Sequence, residues 1–86
     1  MEIGSIVKAC AGKEKGEIFV VVATEGNFVY LADGKRLKKE KPKKKSLKHV
    51  KVFGSEKLTP EVVLDTNERV NAKIRKFLQQ KRREYV

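Results

Sequence analysis

Apolar positions along this chain fall into two regimes: short glycine-punctuated runs in the first half, and one long period near 3.6 at the end. In residues 5–11, Val7, Ala9 and Ala11 can face one way and Ile6, Lys8 and Cys10 the other, which predicts a first strand. Gly12 and Gly16 bracket Lys13-Glu14-Lys15, a spacing that suggests a loop of fixed shape with both lysines at its tip. Residues 17–24 follow as a second strand. Its run Ile18-Phe19-Val20-Val21-Val22-Ala23 is β-branched and aromatic, and it does not alternate, so both faces need cover. One face is expected to look into a small barrel, the other to lie under a helix.

Glu25-Gly26-Asn27 is a turn of hairpin length, and residues 28–32 make a third strand, apolar on both sides. Asp33-Gly34 is a second turn signal. Residues 35–41 are expected to continue as an exposed strand or hairpin arm. Pro42 lacks a ladder donor and so puts Lys43-Lys44-Lys45 at an edge or in a loop. Val50 and Val52 alternate about Lys51, as in a final half-buried strand.

The tail is predicted helical. Asp65-Thr66-Asn67-Glu68 has capping-box spacing, with Asp in place of Ser or Thr. Val70, Ile74, Phe77, Leu78 and Tyr85 then share one face, with Arg69, Lys73, Lys76 and Arg83 opposite. Thr59-Pro60 is a rival start, with Leu58 able to staple onto Val63, and a short turn or kinked helix over 60–64 is expected ahead of the main one.

Length and charge narrow the partners. An 86-residue chain is one domain, too small to spend its core on a large internal cavity. Its net charge of +10 is concentrated: residues 35–51 hold ten Lys/Arg against the single Glu40, and residues 66–86 hold seven against two Glu. Such clustering points to an anionic partner: RNA, DNA, an acidic protein or an anionic membrane surface. No apolar run approaches the roughly 20 residues a spanning helix needs. The start lacks the basic-then-apolar pattern of a signal peptide, and Cys10 is the only cysteine, leaving no disulfide and no zinc cluster. Together these favour the cytoplasm.

Gly4-Ser5-Ile6-Val7-Lys8, then Ala11-Gly12-Lys13-Glu14-Lys15-Gly16 and the apolar strand, resemble a KOW motif, two short strands around a glycine-containing loop. The continuation Ala32-Asp33-Gly34-Lys35, then Lys41-Pro42-Lys43-Lys44-Lys45-Ser46-Leu47-Lys48-His49-Val50, resembles the bacterial KOW-domain RNA-binding proteins. Those are relatives of the archaeal and eukaryotic large-subunit ribosomal proteins of the fourteen-e type. The resemblance covers residues 4–52. It implies an SH3-like barrel, a ribosome-associated RNA-binding role, and RNA-facing parts at residues 12–16 and 35–49. Two positions depart from the family pattern: Lys13-Glu14 stands where Arg-Asp is commoner, and Ser46 where Asn is frequent. The first keeps the charges but loses the planar fork that grips phosphate bidentately.

The candidate RNA-binding residues are therefore Lys13, Lys15, Lys35, Arg36, Lys38, Lys39, Lys41, Lys43, Lys44, Lys45, Lys48 and His49, with Arg69, Lys73, Lys76 and Arg83 as a possible second contact. Lysine neutralises phosphate as a mobile point charge without reading base identity, so the composition predicts recognition of folded RNA by shape. The plainer reading of the same residues is a solvated surface that keeps the protein dispersed. Phe19, Phe28, Tyr30 and Phe77 could stack bases but are placed in the core by their apolar neighbours, and Cys10 is expected to be a small buried hydrophobe. One His and one Cys give no nucleophile–base pair, so neither enzyme activity, cofactor, metal nor small-molecule substrate is expected.

The expected architecture is mostly β: a small SH3-like (KOW) barrel over residues 1–54, then a linker and C-terminal amphipathic basic helix over 55–86 within the same domain. The expected function is non-catalytic binding of structured, ribosomal RNA. The alternative is a protein-interaction module of the transcription or translation machinery, using the barrel edge or the basic surface.

Overall fold

The computed structural model describes residues 1–67 and 69–84. Five strands form one antiparallel sheet: β1 (Ser5–Ala9), β2 (Ile18–Glu25), β3 (Phe28–Ala32), β4 (Lys43–Ser46) and β5 (Val50–Lys57), in the order β4-β3-β2-β1-β5. A 3-10 turn, Leu47–His49, joins β4 to β5. A short helix α1 (Pro60–Leu64) precedes the main helix α2 (Arg69–Glu84). This is the mostly β, small barrel-like fold with a C-terminal helix packed on it that the pattern called for.

The unbroken apolar run of β2 is the reason. Ile18, Val20 and Val22 face one side of the sheet, where Ile6 and Ala32 join them under Val63, Val70, Ile74 and Leu78 of the helices. Phe19 and Val21 face the other side, with Val7, Ala9, Val29, Leu31 and Val50, closed by the partly buried Leu37 and Leu47. Burying a Val, Leu or Ile side chain stabilises by about 1.5–3 kcal/mol, so β2 anchors both layers at once. Register shifts between Val21 and Ala23 against β3, and between Ser5 and Val7 against β5, mark bulges that bend the sheet toward a barrel. β5 runs on to Lys57, and the Leu58 N–H donates to the Gly4 carbonyl at 2.9 Å.

The helix start follows the later of the two signals, with Pro60 opening a separate short helix. Asp65 caps an Asx turn rather than the helix: its Oδ1 accepts from the Asn67 N–H at 2.9 Å, and Asn67 Oδ1 accepts from the Arg69 N–H at 2.9 Å. The Glu68 half of the expected capping box, and the Tyr85 position on the apolar face, lie outside the described residues.

Residues 35–41 depart from the expected strand or hairpin arm. The Asp33 side chain accepts the N–H groups of Lys35 and Leu37, each at 2.9 Å, which winds the chain into a turn. The segment then docks on α2. The Arg75 guanidinium donates to the Gly34 carbonyl at 3.0 Å, and Asn71 receives the Lys39 N–H at 2.8 Å while donating to Glu40 at 2.6 Å. Gly34 is required there: it has φ 76°, and a Cβ would lie 2.1 Å from the Asn71 carbonyl oxygen.

At the far end of α2, Lys81 is buried on the apolar side, its side chain 1% exposed, with Glu56 at 2.5 Å, Glu84 at 2.8 Å and the Phe77 ring centroid at 5.3 Å. This salt bridge ties the end of the helix to β5.

Candidate nucleic-acid interface

Two elements that the sequence marked separately are joined here by one carboxylate. The glycine loop is shaped by Gly12 (φ 84°) and Gly16 (φ 90°) and closed by the Gly16 N–H donating to Ala9 at 2.9 Å and the Lys15 N–H to Gly12 at 3.2 Å. β4 is the edge strand beside β3, with Lys43 opposite Leu31 and Lys45 opposite Val29. Cross-strand partners share a face, so Lys43 and Lys45 point to the side of the sheet holding Leu31 and Val29. There they meet Glu14, which bonds Lys43 directly and lies 3.6 Å from the Lys45 ammonium. Lys45 also donates to the Ala11 carbonyl at 2.7 Å. The hydrogen bond from Lys43, ahead of the Coulomb attraction of the two lysines, holds the Glu14 carboxyl below its ordinary range.

The 3-10 turn completes this end of the sheet. The Cys10 N–H donates to the His49 carbonyl at 2.7 Å, which seats Lys48 and His49, both exposed, beside the root of the glycine loop. Ser46 caps the turn, its hydroxyl accepting from the Lys48 N–H.

The candidate cations divide into two groups. Lys13, Lys15, Lys35, Lys38, Lys41 and Lys48 are exposed and have no carboxylate partner among the described residues. Arg36, Lys39, Lys43, Lys44 and Lys45 are engaged within the protein. Arg36 binds Glu17 at 2.7 Å, and Lys39 donates to the Asp65 carbonyl. Lys44 sits 3.5 Å from Glu25 and 4.5 Å from the Phe28 ring centroid. Lys45, its side chain 10% exposed, is a strut of the scaffold rather than an open phosphate ligand. The pairs of Arg36 and Lys44 are solvent-exposed, and exposed pairs of this kind are worth about 0–1 kcal/mol, little enough for a polyanion to displace.

Candidate cations line several depressions among the described residues. Lys13, Arg36, Glu14, Glu17, Phe19 and Leu37 line one of about 250 Å³. Lys38 and Arg75 share a second with Gly34, Glu40, Asn71 and Ala72, of about 280 Å³. Lys35 turns instead to a third and larger groove with Lys8 and Arg82, residues that sequence pattern did not single out. Arg69, Lys73, Lys76 and Arg83 are exposed on α2, and none lines these three depressions.

The aromatic residues split as well. Phe19 is core, and Tyr30 and Phe77 pack partly against the helix layer, as expected. Phe28 is 41% exposed at the tip of the β2–β3 hairpin, with the Lys44 ammonium 4.5 Å from its ring centroid; its place in an apolar strand had suggested core. Cys10 is half-buried. No group of three or more His, Cys, Asp or Glu converges for a metal among the described residues, and no helix among them is long and apolar enough to cross a membrane. Comparison of the chain with protein-family models and with curated proteins finds no match.

Proposed function

We propose that this is a non-catalytic, cytoplasmic RNA-binding protein of the KOW type, associated with ribosomes through structured ribosomal RNA. The observation that carries this reading is the Glu14 clasp: by bonding Lys43 and flanking Lys45, it holds the glycine loop against β4. Lys13 and Lys15 of the loop are thereby joined to the exposed Lys48 and His49 that follow β4. A rigid display of ammonium groups suits a phosphate backbone of defined shape, and it forms most of its affinity by counterion release. The resemblance of residues 4–52 to the KOW-domain proteins supplies the ribosomal part of the proposal. Crosslinking in cells, followed by sequencing of the attached nucleic acid, tests it. Recovery of ribosomal RNA segments is expected, and recovery of DNA or of no nucleic acid would defeat it.

A second reading, a protein-interaction module, is favoured by one observation. β5 is an edge strand that exposes 63% of Val52, a surface open to strand addition or an apolar contact. Pull-down with and without ribonuclease separates the two. Partners that survive complete RNA digestion support protein contact, and partners lost on digestion support RNA.

A further inference from the structure

A groove of about 520 Å³, larger than the other depressions described above, lies outside the loop-and-β4 surface. It runs between Lys8 of β1, Gly16, Glu17 and Ile18 at the start of β2, Lys35 of the turn after β3, Phe53 of β5 and Arg82 near the end of α2. Its volume falls in the roughly 300–1,000 Å³ range of small-ligand clefts. Three cations reach it from three elements far apart in the chain. Lys35 and Arg82 are exposed and have no carboxylate partner among the described residues, and the Lys8 ammonium lies 5.9 Å from the Phe53 ring centroid. The one carboxylate on the wall is Glu17, paired with Arg36 at 2.7 Å, so three cations against one acid leave the groove with an excess of positive charge. Beside the cations the groove is lined by the half-buried Phe53 and, at its floor, by the buried Ile18.

Cations beside an apolar, partly aromatic wall match a nucleotide, whose phosphate is anionic and whose base has two flat apolar faces. A base inside a duplex is already stacked and cannot use such a wall; an unpaired one can. Resting on the RNA-binding reading above, we infer that this groove takes one unpaired nucleotide of the bound RNA, its phosphate against Lys8, Lys35 and Arg82 and its base against Phe53. The protein therefore recognises a helix interrupted by a bulge or loop rather than a continuous duplex.

Two RNA hairpins, identical but for one bulged adenosine, test this by fluorescence anisotropy. The bulged hairpin is expected to bind about tenfold tighter, within what stacking of one base provides. Phe53→Leu, which keeps an apolar side chain against the core, should remove that advantage and leave affinity for the paired hairpin unchanged. Lys35→Ala/Arg82→Ala, at two exposed positions, should also remove it. Equal binding of the two hairpins by the unaltered protein, or an advantage that survives both variants, overturns the inference while leaving general RNA binding intact. A third arm titrates adenosine monophosphate and follows the backbone amides of Gly16, Ile18 and Phe53 by NMR. If neither hairpin binds but these amides shift, the RNA reading falls and the occupant is a free nucleotide. If neither hairpin binds and nothing shifts, both readings fall.

Discussion

The Lys45 ammonium donates to the Ala11 carbonyl oxygen at 2.7 Å, joining β4 to the root of the glycine loop across 34 positions of the chain. With Glu14 3.6 Å away, this lysine works as a tie-rod beneath a surface that also carries exposed, unpaired lysines such as Lys13, Lys15 and Lys48. Lys45→Ala is expected to cost about 1 kcal/mol of stability, the net value of one such hydrogen bond. It should also speed amide exchange in residues 12–16 more than elsewhere. Denaturant titration and hydrogen exchange read both; uniform exchange would show that the loop is held by other means.

Glu14 makes the same clasp sensitive to acid. Its folded-state value lies below the ordinary 4.5, chiefly through the hydrogen bond from Lys43. The stability it contributes is complete above about pH 4.5 and is lost as pH falls through the lowered folded value. Between pH 6 and pH 3 the protein should lose stability more steeply than Glu14→Gln. Parallel curves for the two would contradict the role given to this carboxylate.

Much of the architecture could be read from the sequence because its determinants are local. The six-residue apolar run of β2 demanded two covered faces, and Gly12 and Gly16 framed a loop that adopts positive φ at both ends. Residues 35–41 were misread because, beyond the local Asp33 turn, their course is set by partners far along the chain. Asn71 lies 31 positions beyond Glu40 and Arg75 41 positions beyond Gly34, and neither residue type announces such a contact. Lys81 was equally hidden: a lysine in a basic helix reads as solvated until Glu56 is placed beside it. Lys8, Phe53 and Arg82 share a groove only after β1, β5 and α2 are assembled, so no spacing in the sequence could connect them.

The docking of residues 35–41 gives a sharp steric test at Gly34. An added Cβ would sit 2.1 Å from the Asn71 carbonyl oxygen and 3.0 Å from the Arg75 backbone nitrogen, at a φ of 76°. Gly34→Ala should destabilise the fold by at least about 1 kcal/mol, whereas Gly26→Ala, which meets nothing within 4 Å, should cost less. Equal losses in thermal melts would mean that the turn can lift from α2 without penalty.

The Lys81–Glu56 bridge predicts an alkaline transition. Hydrogen bonds to Glu56 and then Glu84 raise the Lys81 ammonium above its ordinary 10.5. Its contribution is fully present below that value and is lost as pH rises through the higher folded one. Glu56→Gln should melt at lower temperature than the unaltered protein at pH 7, and the difference should shrink above pH 11. A gap that is constant across this range would assign the stabilisation to packing alone.

The central claim is that a β scaffold presents free lysines as a rigid surface for RNA phosphates, and salt dependence measures it most directly. With about six phosphates neutralised, the logarithm of the affinity for a ribosomal RNA fragment should fall against the logarithm of salt concentration with a slope near −5. Lys13→Ala/Lys15→Ala/Lys48→Ala removes three unpaired exposed ammonium groups and should bring that slope to about −2.5. A flat response in the unaltered protein, or a slope that the triple variant leaves unchanged, would contradict it.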